Sequence, residues 1–398
     1  MTRLAYVCTD PGVPVCGPKG CSIHVREVLR QLVALGVEVH LLGRGLEGLP
    51  LAGLDGIEPV PLPDLPGGAA GVRERAALEC QRSVRAELER RGPFDVVYER
   101  YALWSSAAME YARDARTPGL LEVNAPLVEE QARYRTLHDP EHARRVSARV
   151  FEAASDLLAV SEEVARYLGE LTPRTGRIHV VANGVDPDRF DPLPPASEPA
   201  PPGGFTVGFV GRLQPWHGLS ILARAFAKLH ASDPSCRLLV VGDGPARKSL
   251  ETELARLDLG AATRLVGQVP PEAVPGLLAS MDVAVAPYPE LDGFYFSPLK
   301  LYEYMAAGVS VIASRIGQIQ RVITDGVDGL LCPPGDASAL AASLARLRED
   351  PQLARRLGSA ARRRAREEHS WRRVAERILE IACLRSSPDA VHVRESVG

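Results

Sequence analysis

The chain has 398 residues, 45% of them hydrophobic and 24% charged, and a formal net charge of −3 at pH 7. A chain of this length exceeds one ordinary core, so two domains are expected. The near-neutral balance offers nothing to draw nucleic acid, and no apolar run approaches the roughly 20 residues that cross a bilayer. Arg3–Cys8 (RLAYVC) reads as a first strand, and a Gly/Pro loop over 10–22 follows it. The spacing predicts a helix over 22–35, stopped by Gly36. Further strands are expected at 37–42, 95–99, Gly119–Val123, 156–160 and 178–182. The opening MTRLAYVCTDPG has too short an apolar stretch for a signal-peptide core, so a cytoplasmic location is expected.

A break in composition comes next. The stretch 186–204 contains seven prolines and cannot be regular helix or sheet, so it is expected to be a linker. A second run of strands then begins with Phe205–Val210, 237–242, 282–287 and Ser310–Ser314, each followed by a helical pattern. The end of the chain is helical and arginine-rich, and its basic residues read as a solvated helix face. The expected organisation is an N-terminal domain over 1–186, a linker over 187–204 and a second domain over 205–366. A last helix over 367–384 and a frayed tail over 385–398 complete it. Alternation of strands and helices makes this an α/β chain with two doubly wound, Rossmann-like domains. Ligands of such sheets bind at the carboxyl ends of the strands, which puts the site in a cleft faced by both. The seven cysteines are scattered, form no C-x-x-C pair and have no histidine spacing to complete a zinc site, so reduced thiols and no metal are expected.

Three stretches have the means to bind an anion. In the loop before the first helix, Gly20 would let a phosphate approach backbone N–H groups at a helix N-terminus. The loop lacks G-x-G-x-x-G, which disfavours a dinucleotide cofactor. At the end of the strand Phe205–Val210, Gly211 and Arg212 would face the cleft. In GFYFSPLKLYEYMAAG, Pro298 suits a first helical turn and leaves the N–H groups of Leu299 and Lys300 as donors, next to Ser297. Lys300 is one of only four lysines against 43 arginines, and Glu303 follows one turn later, placed to accept from hydroxyls. Amides and an ammonium for phosphates, with a carboxylate for ribose, suit a sugar-nucleoside diphosphate.

The stretches VVANGVDPDRF, FVGRL…HG, LLVVGDGP, LVGQVP and LKLYEYMAAGVSVIAS resemble, in order and spacing, the donor domain of family 4 (group 1) retaining glycosyltransferases, which have the GT-B fold. GPKGCSIHVREVLRQLVALGVEVHLL and LEVNAPL extend the resemblance to the first half, and SWRRVAERIL resembles the family's final helix, which crosses back to the first domain. The resemblance implies that Arg212 meets the donor diphosphate, Glu303 the ribose, and the amides of Ser297–Lys300 the terminal phosphate. It also implies that Gly20 approaches the diphosphate and that Gln268 and Val269 face the base. Glu122 and Asn124 would border the reacting sugar, and His24 is equally a helix residue or a site residue. Two positions depart from the family pattern. A lysine before glycine is here His217, and a glutamate eight residues before Glu303 is here Tyr295, with Glu290 and Asp292 nearby.

The implied activity is metal-independent retaining transfer of a sugar from a nucleoside-diphosphate sugar (UDP or GDP) to a small soluble natural product or glycan precursor. The sugar nucleotide is the co-substrate and no other cofactor is implied. Arg212 and Lys300, with Asn124 and Glu122 opposite, would carry catalysis. Residues 126–154 could form the acceptor wall. Its basic positions suggest peripheral lipid, but Glu129, Glu130, Asp139 and Glu141 work against that. A sugar-nucleotide epimerase and a non-catalytic nucleotide-sugar-binding subunit are the alternatives.

Overall fold

The computed structural model describes residues 1–49, 52–173 and 175–386. Of the expected tail, 387–398 lies outside the described residues, while Arg385 and Ser386 belong to the last helix. The chain forms two compact units. One is Met1–Asn183 together with the chain from Trp371 onward, and the other is Gly184–Ser370.

The first unit is built on β1 (Arg3–Cys8), β2 (Glu38–Gly43), β3 (Ile57–Pro61), β4 (Val96–Arg100), β5 (Gly119–Val123), β6 (Asp156–Ala159) and β7 (Ile178–Val180). They pair in parallel in the order β3-β2-β1-β4-β5-β6-β7. The second unit has β8 (Phe205–Val210), β9 (Cys236–Val241), β10 (Thr263–Gly267), β11 (Val283–Ala286), β12 (Ser310–Ser314) and β13 (Leu330–Cys332). These are also parallel, in the order β10-β9-β8-β11-β12-β13. Parallel strands need crossovers that cover both faces, which is why β5, β11 and β12 are buried at every residue. Strand order reverses between β1 and β4 and between β8 and β11, the positions where a doubly wound sheet opens for a ligand.

Three strands had no counterpart in the sequence reading: β3, β10 and β13. All are edge strands. β3 carries Pro59 and Pro61, which a central strand could not accommodate. The proline-rich stretch expected to be a linker is fastened to the second unit. Pro187–Phe190 makes a short 3-10 turn that buries Phe190 completely. Ser197 N–H donates to the Gly276 carbonyl at 2.9 Å and Glu198 N–H to Ser280 Oγ at 2.9 Å.

β8 and β11 pair only as far as Val207–Val283 and Gly208–Ala284. Beyond that the strands part, and the backbone of Val210 needs other partners. The hydroxyl of Tyr304, on the helix Leu299–Ala306, supplies both. It accepts from Val210 N–H at 2.8 Å and donates to the Val210 carbonyl at 3.1 Å. This buried hydroxyl locks the helix start to the end of β8. Tyr304→Phe is expected to lower the unfolding free energy by about 1–3 kcal/mol, the cost of unsatisfied buried backbone groups. A urea titration checks this, and an unchanged midpoint would show that the clamp is dispensable.

Candidate functional site

At the end of β8 the chain turns at Gly211, whose φ of 137° lies in the region that favours glycine. The loops after β8 and β9 are stitched together, with Gly211 N–H to the Val241 carbonyl at 2.9 Å and Leu213 N–H to the Asp243 carbonyl at 3.0 Å. Gly218 (φ 66°) ends the 3-10 turn Pro215–His217, and a Cβ there would sit 1.7 Å from the Pro287 carbonyl oxygen. No other residue fits, so the turn carrying His217 is held hard against the end of β11.

Lys300 lies where these elements converge. It is 8% exposed, its ammonium 4.2 Å from the centroid of the Phe209 ring, 5.7 Å from that of Tyr288 and 3.3 Å from His217 Nδ1. Among the described residues no carboxylate lies within ion-pairing distance of it. Two aromatic faces attract a cation but leave it unneutralised. Burial pushes the Lys300 pKa down to about 7, against the pull of Glu303 one turn away. His217 is pushed down to about 3, first by burial and then by the Lys300 charge, although the Arg212 carbonyl works the other way. The ring is therefore neutral at physiological pH and carries one N–H. Its Nδ1 lies 2.6 Å from the Arg212 carbonyl oxygen, a distance that calls for a donor, so the proton is assigned to Nδ1. That nitrogen then has no lone pair to offer Lys300, and the ammonium remains short of an acceptor.

The other donor-site residues expected in the second unit lie after the ends of β8, β10 and β11 or at the start of the helix Leu299–Ala306. The Arg212 side chain is exposed and has no hydrogen-bond or ion-pair partner among the described residues. Pro298 is the cap residue rather than part of the first turn, since the helix begins at Leu299. The amides of Leu299 and Lys300 have no intrahelical acceptor, as at any helix start. Ser297 is buried, its hydroxyl 3.0 Å from that of Tyr302. Glu303 is held at 3.4 Å by Arg189 Nη1, and Arg189 Nη2 donates to the Pro271 carbonyl at 2.8 Å. Gln268 is exposed and Val269 half-buried immediately after β10. Glu290 and Asp292 are exposed on the loop after β11, and the Tyr295 ring lies 4.4 Å from that of Phe296. Sequence reasoning missed Arg189 and the aromatic lining. Arg189 lies within the motif VVANGVDPDRF, which could have singled it out.

In the first unit the register places Arg100 of β4 beside Glu122 of β5. Arg100 Nη1 donates to Glu122 Oε1 at 2.5 Å, joined there by the Asn124 amide, while Tyr98 and His24 Nε2 (3.0 Å) meet Oε2. Burial alone would raise the Glu122 pKa, but His24, Arg100 and the bonds from His24 and Tyr98 outweigh it. The carboxyl is thus held well below the usual carboxylate range, as a fixed anion with both oxygens occupied. At 5% exposed it orients its neighbours rather than exchanging protons, and the half-buried Asn124 is the more accessible of the pair. His24, Tyr98 and Arg100 belong to this network, and Trp371 packs edge-on against His24 at 5.0 Å. Gly20 is exposed at the start of the helix Gly20–Ala34. Among the described residues no three His, Cys, Asp or Glu side chains are grouped to hold a metal, and no helix is long and apolar enough to cross a membrane.

Residues 194–364 match the family described as Glycosyl transferases group 1, and residues 18–189 match Glycosyltransferase Family 4. A D-inositol 3-phosphate glycosyltransferase from Frankia alni is 30% identical, covering 96% of this chain and 98% of that protein. A 2-deoxystreptamine glucosyltransferase from Streptomyces kanamyceticus is 28% identical over 83% of this chain and 90% of its own length. The solved structure of Anabaena HepE in complex with UDP is similar with a TM-score of 0.71 and 21% identity, covering 97% of this chain and 100% of that one.

The buried amine releases its proton near pH 7, whereas an ordinary lysine holds it to 10.5. Between those values the unfolded chain binds more protons than the folded one, so stability rises with pH there. The cost of burying the charge is therefore fully present below pH 7 and fades toward 10.5. Lys300→Met is expected to raise the melting temperature, and by more at pH 6 than at pH 9. Equal gains at both pH values in scanning calorimetry would show that the amine is not a buried charge.

Proposed function

The chain belongs to the group 1 glycosyltransferases of family 4, with their GT-B type of fold, and we propose that it transfers a hexose, with retention and without a metal, from a UDP- or GDP-sugar to a small polyhydroxylated acceptor. The observation that carries this reading is the Lys300 ammonium, buried between aromatic faces with no carboxylate, beside amides that lack an intrahelical acceptor and the exposed Arg212. A diphosphate supplies the missing counter-charge. As the glycosidic bond breaks, negative charge grows on the leaving diphosphate while the sugar becomes oxocarbenium-like. Groups already in place stabilise that charge without reorganising. In this reading Lys300 does the work of the family lysine that His217 replaces, and neutral His217 contributes a polar contact. Glu303, steadied by Arg189, takes the ribose, and Gln268 and Val269 flank the base. Front-face attack lets the departing diphosphate receive the acceptor proton, so no general base is required. Glu122, as a permanent anion, keeps His24, Asn124 and Arg100 in place on the first unit, where the acceptor would bind. The names of the two relatives both contain cyclitols, which favours a cyclitol-like acceptor, and a cytoplasmic location goes with that supply of donor. Family membership sets aside the epimerase and non-catalytic alternatives.

Calorimetric titration with UDP, GDP, ADP and dTDP in EDTA is expected to show binding by at least one, and failure of all four would end the reading. Lys300→Ala is expected to lower kcat/KM about ten- to a hundred-fold, the equivalent of one charge-assisted bond of about 1.5–3 kcal/mol. His217→Ala should lose much less. Because kcat/KM reports the free enzyme, it should fall as pH rises above about 7, when Lys300 loses its proton. In Lys300→Arg, which keeps its charge, that fall should vanish although the rate is lower. A fall that persists in Lys300→Arg and disappears in His217→Ala would transfer the role to His217.

A further inference from the structure

Aromatic residues make up only 5% of the chain, yet four lie within 288–296: Tyr288, Phe294, Tyr295 and Phe296. Three of them form a row leading away from the phosphate-binding point. Tyr288 lies beneath the Lys300 ammonium, Phe294 packs edge-on against it at 4.9 Å, and Phe296 packs edge-on against Phe294 at 5.4 Å. The row ends at Trp216, whose ring is 6.4 Å from Phe296 and within 7° of parallel. Trp216 is also the neighbour of His217 in the turn that Gly218 fixes, with ring centroids 6.2 Å apart. Of the three tryptophans, Trp104 and Trp371 are 5% and 3% exposed, while Trp216 is 38% exposed. One indole is therefore left open to solvent, at the rim of the charged point and backed by a second ring.

We propose that Trp216, with Phe296 behind it, is the platform for the donor sugar and binds the C–H face of its pyranose. This rests on the donor site proposed above. A sugar joined through its anomeric oxygen to the terminal phosphate stays within about one ring of Lys300 and His217, and Trp216 borders that space. The C–H bonds of a pyranose face carry slight positive charge, which suits the negative face of an indole. The place where the family has a glutamate is Tyr295, itself packed on Phe296 at 4.4 Å, so recognition moves from a carboxylate gripping hydroxyls to rings reading the sugar's apolar side. Such a platform favours pyranoses with an unbroken C–H face and tolerates change in the hydroxyls that point away from it.

The test is calorimetry on the full chain with UDP and UDP-glucose, repeated with GDP and GDP-mannose, for the wild type and for Trp216→Ala, Trp216→Phe and Trp216→Leu. Trp216→Ala should bind the sugar nucleotide about ten-fold more weakly and the bare diphosphate within two-fold of wild type. Trp216→Phe should recover most of the loss and Trp216→Leu should not, because a ring rather than bulk is required. Sugar nucleotide, but not diphosphate, should also alter the tryptophan emission of the wild type, a change absent from Trp216→Phe. Equal weakening of both ligands would make Trp216 a base stack or a brace for the Arg212 loop, and no weakening would make it idle; either overturns the platform. A wild type that binds a diphosphate but neither sugar nucleotide also overturns it. Failure of UDP and GDP alike overturns a UDP- or GDP-sugar donor, and the platform argued for it.

Discussion

The second unit is arranged around a positive charge that the protein does not neutralise. Keeping an ammonium away from water without a counter-ion is costly, and most proteins avoid it or let the group lose its proton. Here burial moves the loss of the proton down to about pH 7, and below that the packing holds the charge without a counter-ion. Phe209 and Tyr288 close two sides, and a side chain on residue 211 would come within 3.1–3.2 Å of the lysine's terminal atoms, so glycine there spares it a tight contact. The parting of β8 from β11 creates the space, and the Tyr304 hydroxyl keeps it open by satisfying the backbone that the missing strand partner leaves exposed. Glycine, ring and hydroxyl positions spread over almost a hundred residues thus serve one strained charge.

The first unit solves the opposite problem. Its buried charge, the Glu122 carboxylate, has every lone-pair direction claimed by Tyr98, Arg100, His24 or Asn124. A saturated anion of this kind is rigid and inert, and such a network is strong because each member is satisfied. The contrast assigns the labour. Fixed geometry belongs to the first unit, whereas the second keeps a charge that no carboxylate among its described residues pairs with.

Legibility in the sequence followed the distance over which each feature is assembled. Gly211–Arg212 and the run from Ser297 to Glu303 are contiguous, so their spacing alone put them at a strand end and a helix start. The Glu122 network was not readable, because His24 and Glu122 are 98 positions apart and nothing local in either marks the other. The same holds for Arg189 and Glu303, 114 apart, and for the pairing of His217 with Lys300 across 83. Central strands were legible because burial on both faces writes an unbroken apolar run. β3, β10 and β13 were not, being edge strands of mixed exposure, as in the pattern of Ile57–Pro61, whereas the edge strand β7 was legible because it lies in the largely apolar stretch 178–182. Proline density in 186–204 argued against helix and sheet, yet Pro187–Phe190 makes a 3-10 turn, and the prolines said nothing about attachment, which depends on Phe190 finding a place in the core.

The depressed basicity of Lys300 also makes it chemically distinct from its fellows. Lys19, Lys228 and Lys248 are exposed, and of the four lysines only Lys300 is buried. Lys300, poised near 7, offers its lone pair in a large fraction of molecules. An aldehyde small enough to reach it would condense there in preference to the surface, and an anionic reagent would be guided in by the same uncompensated charge. The chain's scarcity of lysine, which began as a matter of composition, thereby turns one residue into a selective handle for covalent labelling of the pocket.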